Sequence, residues 1–393
     1  MDRCDVLIVG AGPAGSACAW QLQRSGLRVL LLDREHFPRN KVCGGWITPA
    51  VLEELEIDPH EYARGRVLQP ITGFRVGAIG DAGRDITYQR VISYGIRRYE
   101  FDDYLVRRSG AQLADGVALQ SLEHAGDGWI VNGEIHARVV IGAGGHFCPV
   151  ARHLGANGRS EIAVVAREME FPMDATQQAQ CAVRGDVPEL YFCPDLRGYG
   201  WCFRKGNFLN VGLGRLGEHR LGAYVTEFVA FLRRAGRVQF DLPARPAGHA
   251  YLLYGDGRRN LVGDAILLAG DAAGLAYSQS GEGIRPAIES GLLAAETILE
   301  ANGCYARERL SAYAARLTTL FGDAQKNWAS DVGRYLSPAL IRSIAQPLLK
   351  SRWFARRVIL DRWFLHADVP PLSSNGHAPR AANLLTERPA LPN

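Results

Sequence analysis

Residues 4–34 read CDVLIVGAGPAGSACAWQLQRSGLRVLLLDR. Asp5 to Val9 is a short run of strand length, and it ends in Gly10-Ala11-Gly12-Pro13-Ala14-Gly15, the G-x-G-x-x-G spacing. A helix of small residues is predicted from Pro13 to Gln23, closed by Ser25-Gly26. Arg28 to Leu32 is a second apolar run, and Asp33 follows at once. Each position has a physical reason. Gly10 permits the tight turn, Gly12 lets a pyrophosphate approach the backbone, and Gly15 lets the helix pack close to the strand. Phosphates then sit at the helix N-terminus, where free N–H groups and the helix dipole favour negative charge. Asp33 lies about 20 residues on, where an acidic residue takes a ribose diol. Strand, glycines, helix, second strand and acid occur in the right order for dinucleotide binding, with Gly10, Gly12, Ala14 and Gly15 as cofactor-binding positions.

Which dinucleotide is decided far downstream. Residues 266–291 read ILLAGDAAGLAYSQSGEGIRPAIESG. An apolar strand ends at Gly270-Asp271, small residues follow, and Gly281-Glu282-Gly283 opens a helix at Ile284. This resembles the second fingerprint of FAD enzymes of the aromatic hydroxylase and geranylgeranyl reductase superfamily, which have the glutathione-reductase fold. The resemblance implies FAD as cofactor, with Asp33 and its neighbour Arg34 at the nucleotide. It places Asp271, beside Gly270, on the ribityl chain, and turns the helix start at Gly281, Gly283 and Ile284 towards the isoalloxazine.

Size and charge narrow the remaining choices. A chain of 393 residues suggests two interleaved domains. A formal net charge of +4, without a basic tract, does not imply nucleic acid. The eight cysteines are scattered with no C-x-x-C, which argues against structural zinc or a disulfide framework and for a reducing cytoplasm. No metal site is expected. The first strand begins at the N-terminus, leaving no room for a signal peptide, and no apolar run reaches the roughly 18–20 residues that cross a bilayer.

Between the fingerprints the motifs are graded. The loop Arg34 to Ile47 contains Lys41-Val42-Cys43-Gly44-Gly45-Trp46 and leads into a helix, Pro49 to Leu55. It resembles the Lys-x-Cys-Gly-Gly segment of the geranylgeranyl reductase branch, which implies passage along the flavin edge at Cys43 and Gly44. Cys43 reads first as a small buried residue, then as pocket lining, and last as a redox, catalytic or covalent site. Residues 71–96 read as antiparallel strands around Gly and Asp turns. Arg97 to Leu105 begins a helix and resembles the family's Arg-x-x-Phe-Asp-x-x-Leu pattern. There Arg98 matches an Arg that contacts the flavin region or pyrophosphate; a surface Arg at a helix start is the alternative. A meander over 116–141 ends in Gly142-Ala143-Gly144-Gly145-His146-Phe147-Cys148-Pro149-Val150-Ala151-Arg152. This resembles the hydroxylase Gly-Ala-Asp-Gly-x-x-Ser-x-x-Arg motif but has Gly144 for the Asp, Cys148 for the Ser and Ala151 for the Arg, which weakens an NADPH-driven hydroxylase.

Residues 161–250 show strand patterns and no helix signal before Leu221, including a strand over QQAQCAVRG, 177–185. The segment Tyr199-Gly200-Trp201-Cys202-Phe203-Arg204 resembles the reductase Tyr-x-Trp-x-Phe-Pro motif, with Arg204 for the Pro, and more loosely the Trp-x-Trp-x-Ile-Pro of flavin halogenases. Period-two spacing puts Tyr199, Trp201 and Phe203 on one strand face. That face is either an aromatic wall for an apolar or aromatic substrate or packed core. After Arg307 the pattern is helical. Residues 341–363 carry six Lys/Arg with Trp353, Phe354 and Trp363 among them, so they suit either a packing helix or peripheral contact with an anionic membrane.

The expected architecture is α/β. A Rossmann-like three-layer FAD-binding domain comprises 1–72, 95–158 and 250–300. An antiparallel β-sheet substrate domain is inserted as 73–94 and 159–249, and a helical C-terminal region spans 301–393. The expected protein is a cytoplasmic FAD-dependent oxidoreductase, with membrane association through 341–363 left open. Its substrate is a small apolar or aromatic molecule, and a geranylgeranyl-reductase-like reduction of C=C bonds leads. NAD(P)H or an external electron carrier is the reductant, since no second complete Rossmann fingerprint offers a resident nicotinamide site. Cys43, Tyr199 and Trp201 are the candidate catalytic residues, with His249 as a further proton-donor candidate, although a lone His is more often a satisfied structural residue. The alternatives are a monooxygenase working through a flavin C4a-hydroperoxide, a halogenase, and a flavin-binding maturation factor without turnover.

Overall fold

The computed structural model describes residues 2–156, 161–217, 220–243, 246–256, 259–322 and 347–372. At its centre is an eight-stranded sheet in the order Val262–Gly263, Ile266–Leu268, Ile135–Gly142, Asp2–Val9, Val29–Asp33, Gln112–Asp115, with the hairpin Leu122–Ala125 and Gly128–Val131 attached to Ile135–Gly142. Asp2–Val9 is parallel to both neighbours, pairing Val9 with Leu32 on one side and Gly142 on the other. Val6 to Val9 and Val29 to Asp33 are buried throughout, as strands covered on both faces must be. The chain leaves Asp2–Val9 towards Val29–Asp33 and later returns on its other side as Ile135–Gly142. The C-terminal end of Asp2–Val9 is therefore a switch point, where open α/β sheets bind ligands.

Two helices cover this point. Pro13–Gln23 begins with Pro at its first position and Gly12 at its N-cap, and Ile284–Ala301 packs against it. The approach is so close that a Cβ on Gly291 would stand 2.2 Å from the Ala14 carbonyl oxygen.

A second sheet of seven strands runs Ala247–Tyr251, Val164–Pro172, Phe208–Leu216, Gly198–Lys205, Glu189–Phe192, Gly73–Ala78, Arg84–Thr87. All its pairings are antiparallel except that of Glu189–Phe192 with Gly73–Ala78. One face carries Tyr191, Cys202, Val211 and Leu213 and is covered by the helix Leu221–Arg234 through Phe228 and Phe231. Gly200 belongs to this face, with the Phe228 ring where its side chain would be. The pleat therefore turns Tyr199, Trp201 and Phe203 to the other face, which packs with Phe74, Leu190 and Phe192 against the C-terminal residues Ala355, Ile359, Leu360 and Phe364. A small sheet of Trp46–Ile47, Ser93–Ile96 and Leu68–Ile71 lies between the two layers in sequence.

The fold departs from expectation at one element. Ala175–Ala179 is a short helix where strand and no helix were expected, and Gln177 and Gln178 lie in it rather than in a strand. Its cause is local: the Asp174 carboxylate accepts the Gln177 N–H at 2.8 Å, and the Gln177 side chain accepts the Asp174 N–H at 3.0 Å. In the C-terminal region, helix is found at Arg307–Leu310, Ala312–Phe321 and Arg352–Phe354, and a wider-pitched turn runs through Ala355–Phe364. Of the segment 341–363, residues 341–346 lie outside the described residues. Among the described residues no helix is long and apolar enough to cross a membrane.

Gly291→Val tests the helix contact. Overpacking costs about 1–3 kcal/mol, so the urea midpoint should fall; an unchanged midpoint would contradict the close packing.

Candidate active site

The glycine turn sets the first part of the site. Gly10 has φ +107, and a Cβ there would lie 2.4 Å from the Ala143 oxygen, so the left-handed turn and the meeting of the strand ends both demand glycine. Gly12 caps Pro13–Gln23 with no side-chain partner for the first-turn N–H groups. A Cβ on Gly12 would meet only Arg39 Nη2, at 3.4 Å. The space before the helix N-terminus is thus open backbone faced by a guanidinium. Arg39 lies over the Phe37 ring and 3.2 Å from Asp102, which also takes two hydrogen bonds from Arg98 at 2.6 and 2.7 Å. At the end of the second strand, Asp33 accepts the N–H of Ala11 at 2.8 Å and of Glu35 at 3.0 Å, which fixes its carboxylate beside the glycine turn.

The second fingerprint faces the same space. Gly270 and Gly281 have φ +61 and +69, and Gly283 caps Ile284–Ala301 with no side-chain partner. Asp271 Oδ1 lies 3.3 Å from where a Gly283 Cβ would stand. Asp271 Oδ2 is 3.4 Å from His249 Nε2, and Lys41 Nζ is 2.8 and 2.7 Å from the two His249 ring nitrogens. Burial lowers Lys41 to about 8 and keeps His249 below its usual range, so at neutral pH the imidazole is uncharged while Lys41 still carries its proton. Burial opposes the charge on Asp271, but His249, Lys41 and Arg98 prevail and hold the carboxyl below the usual range.

The loop between these parts is clamped from the other sheet. Glu168 accepts the Cys43 N–H at 2.7 Å, and Asn210 donates to the Cys43 carbonyl at 3.1 Å. Asn210, fully buried, accepts the Trp201 indole N–H at 2.7 Å and touches Glu170, which Lys205 pairs at 2.8 Å. Burial pushes Glu168 up to about 8, and the neighbouring Glu170 adds to the rise against Lys205. Burial also opposes Glu170, but Lys205 holds it below the usual range. Gly44 then sits 3.5 Å from the Phe203 ring and 3.6 Å from Trp201 Nε1, measured from the Cβ it lacks.

These parts line one cavity of about 620 Å³. Every position expected at the cofactor and lying on the glycine turn, the Cys43–Gly44 loop or the second fingerprint lines it, except Gly15, which packs its helix against the Gly10 oxygen. Arg34 is at the solvent side, paired to Glu35 at 3.2 Å, and Arg98 is inside with its donors on Asp102. Cys43, Tyr199 and Trp201 are brought together there, joined by Phe203 and by Phe364 from the C-terminal segment. The Tyr199 hydroxyl donates to the Ser280 carbonyl at 2.5 Å, and its ring meets Phe364 edge-on at 5.4 Å. Sequence reasoning missed Arg39, Glu168, Asn210, Glu282 and Phe364. Arg39 stands in the same loop as Lys41 and Glu282 inside the Gly281–Gly283 fingerprint, so both were within reach of inspection; Glu168, Asn210 and Phe364 meet partners far along the chain and carry no local signal.

The donor set fits FAD: one helix N-terminus left open by its glycine cap and faced by a guanidinium, a second helix start opened by Gly281 and Gly283, a carboxylate fixed at the nucleotide end and a second beside the flavin helix. Two substitutions test the assembly. Arg39→Ala should weaken FAD binding about tenfold to a hundredfold, read by titrating apoprotein with FAD. Asn210→Ala should lose about 1–3 kcal/mol of stability in urea, because it strands the Trp201 N–H and the Cys43 carbonyl.

Comparison with known proteins agrees with this geometry. Residues 5–100 match the family model of FAD dependent oxidoreductases, DAO. Menaquinone reductase of Mycobacterium tuberculosis is 30% identical over 325 residues, covering 76% of this chain and 77% of that one. Geranylgeranyl diphosphate reductase of Rhodobacter capsulatus is 30% identical over 318 residues, covering 76% and 75%. Among solved structures, a geranylgeranyl bacteriochlorophyll reductase-like protein from Thermoplasma acidophilum superposes with a TM-score of 0.75 at 21% identity over 90% of this chain and 92% of that one. PqsL of P. aeruginosa, in complex with 2-aminobenzoylacetate, superposes with a TM-score of 0.63 at 18% identity over 88% and 100%; at such identities the likeness is one of fold. The protein is an FAD-dependent oxidoreductase, and the chain belongs to the geranylgeranyl reductase family.

Proposed function

We propose that the protein reduces C=C bonds in the isoprenoid chain of an apolar substrate. The observation that carries this reading is the continuity of the cavity: the glycine cradle and the aromatic wall of Tyr199, Trp201, Phe203 and Phe364 line one space. Geranylgeranyl groups and menaquinones, named in the relatives, share a polyisoprenoid chain of isolated C=C bonds, and an aromatic wall suits such a chain. Bound FAD, once reduced, supplies hydride.

The chain's own residues bind, orient and exclude water. Gly10, Gly12 and Ala14 would admit the pyrophosphate to the first helix, with Arg39 against its charge, and Asp33 would hold the ribose. Asp271 would take the ribityl chain, while Gly281, Gly283 and Ile284 present the second helix start to the ring. Cys43 and Gly44 would lie along the ring edge, held by Glu168 and Asn210. We assign Cys43 to lining, because its neighbours fix its backbone. Tyr199 and Trp201 would orient the substrate.

Electrons would come from NAD(P)H docking transiently or from an external carrier, in keeping with a sequence that has no second complete fingerprint. All eight cysteines are free, which suits a reducing cytoplasm. Trp353 is 68% exposed beside Arg352, with Lys350, Arg356 and Arg357 close in sequence, which suits peripheral contact with an anionic membrane where isoprenoid lipids reside. The fold likeness to PqsL, whose complex holds an aromatic ligand, favours a monooxygenase as the second reading.

One experiment separates the two. Anaerobically reduced protein mixed with geranylgeranyl diphosphate or menaquinone should return to the oxidised flavin and yield a product two hydrogen atoms heavier. Failure with every prenyl compound, together with an oxygen-dependent hydroxylated aromatic product, would select the monooxygenase. Trp201→Ala should lower kcat/KM for the prenyl substrate about tenfold.

A further inference from the structure

Adding hydride to one carbon of a C=C bond requires a proton for the other, and neither Tyr199 nor His249 is suited to give it. Tyr199 has its hydroxyl hydrogen on Ser280, and burial holds its pKa well above the usual range. His249 is uncharged between Lys41 and Asp271. Four carboxyl residues line the cavity: Asp33, Glu35, Asp271 and Glu282. Asp33 accepts two backbone N–H groups, Glu35 is exposed beside Arg34, and Asp271 is held ionised by His249 and Lys41.

Glu282 is different. The residue is 8% exposed. Its Oε1 accepts the Arg285 N–H at 2.8 Å, while its Oε2 is buried without a hydrogen-bond partner. A buried bare carboxylate oxygen is costly, and the acid form relieves that cost. The groups around it come from several elements. Arg285 and Glu289 belong to the flavin helix and pair with each other at 2.7 Å, and Glu54 approaches Arg285 to 3.7 Å from the helix Pro49–Glu54. Tyr277 and Tyr199 lie within its electrostatic reach, and His366 stacks on Tyr277. Burial pushes Glu282 up to about 7, against the Arg285 N–H and with a further push from Glu289.

We propose that Glu282, which lines the cavity, is the proton donor of the reaction, its carboxyl O–H, buried at rest, turning to protonate one carbon of the C=C bond while hydride from the reduced cofactor reaches the other. The proposal rests on the reductase reading. The π bond, the Glu282 O–H bond and the bond that held the hydride on the reduced cofactor break, and two C–H bonds form. The alkene gains two electrons that the cofactor loses, NAD(P)H or a carrier restores them, and water reprotonates the carboxylate. Glu282 thereby supplies the acid that an isolated C=C bond needs.

The test needs no substrate at first. Infrared spectra of the FAD-loaded protein should show a carboxylic acid C=O stretch that is absent in Glu282→Gln and fades in the wild type as pH rises through about 7. With prenyl substrate, wild-type kcat should fall over the same range, because a group with a raised pKa is in its donor form only below that value. Glu282→Gln, which keeps the acceptor for Arg285, should lose roughly 10²-fold or more in kcat and the pH dependence, with FAD affinity retained. An active wild type without the fall above pH 7, a C=O band that Glu282→Gln leaves unchanged, or a Glu282→Gln variant with unchanged rate and pH profile, overturns the proposal; the first is read without any variant. A wild type that reduces no prenyl compound marks instead the failure of the reductase reading, and the proposal falls with it.

Discussion

The peptide of Cys43 is held at both ends by side chains of the other sheet, its N–H by Glu168 and its C=O by Asn210. This contact joins the two layers of the molecule. On one side it fixes the loop that follows the second Rossmann strand, and with it Lys41 and the Gly44-Gly45 pair. On the other it fixes Trp201, whose indole N–H ends on the same Asn210. A buried polar network of this kind is stable only when its members are satisfied, and here Lys205 closes it by pairing Glu170. The spacing between cofactor cradle and aromatic wall is therefore a property of packing and hydrogen bonds rather than of a hinge.

The cradle itself depends on absent side chains. Gly10, Gly15 and Gly291 each stand where a Cβ would lie within 2.4 Å of a backbone oxygen. The two helices that face the cavity can approach the sheet and each other only because of these positions. The first N-terminus, left uncapped by side chains, then presents free N–H groups to this space, and the second, where Glu282 takes the Arg285 N–H, opens to it through Gly281 and Gly283, as a dinucleotide with a ribityl chain requires.

How much of this was legible in the chain depended on distance along it. Pro13–Gln23 and Ile284–Ala301 were readable to the residue, because glycine caps and Pro13 mark their starts and the apolar pattern marks their course. The aromatic face of Tyr199, Trp201 and Phe203 was readable from period two, although only the structure shows which face it is and that Phe364 closes it. Ala175–Ala179 was missed although its capping box is local, because Asp174 and Gln177 precede no apolar run. Arg39 was hidden by the ordinariness of a charged loop residue. Glu168 and Asn210 acquire their meaning from partners brought together by folding, such as Cys43 with Asn210, and no spacing in the chain encodes that.

One cavity, on this reading, holds FAD against an apolar substrate, and a crystal structure of the FAD-loaded protein with a geranylgeranyl compound is the decisive measurement. The pyrophosphate should lie at the N-terminus of Pro13–Gln23, the isoalloxazine between Gly281–Gly283 and the Cys43-Gly44 loop, and the prenyl chain against Tyr199 and Trp201. A flavin ring turned away from that loop, or a prenyl chain bound outside the cavity, would contradict it.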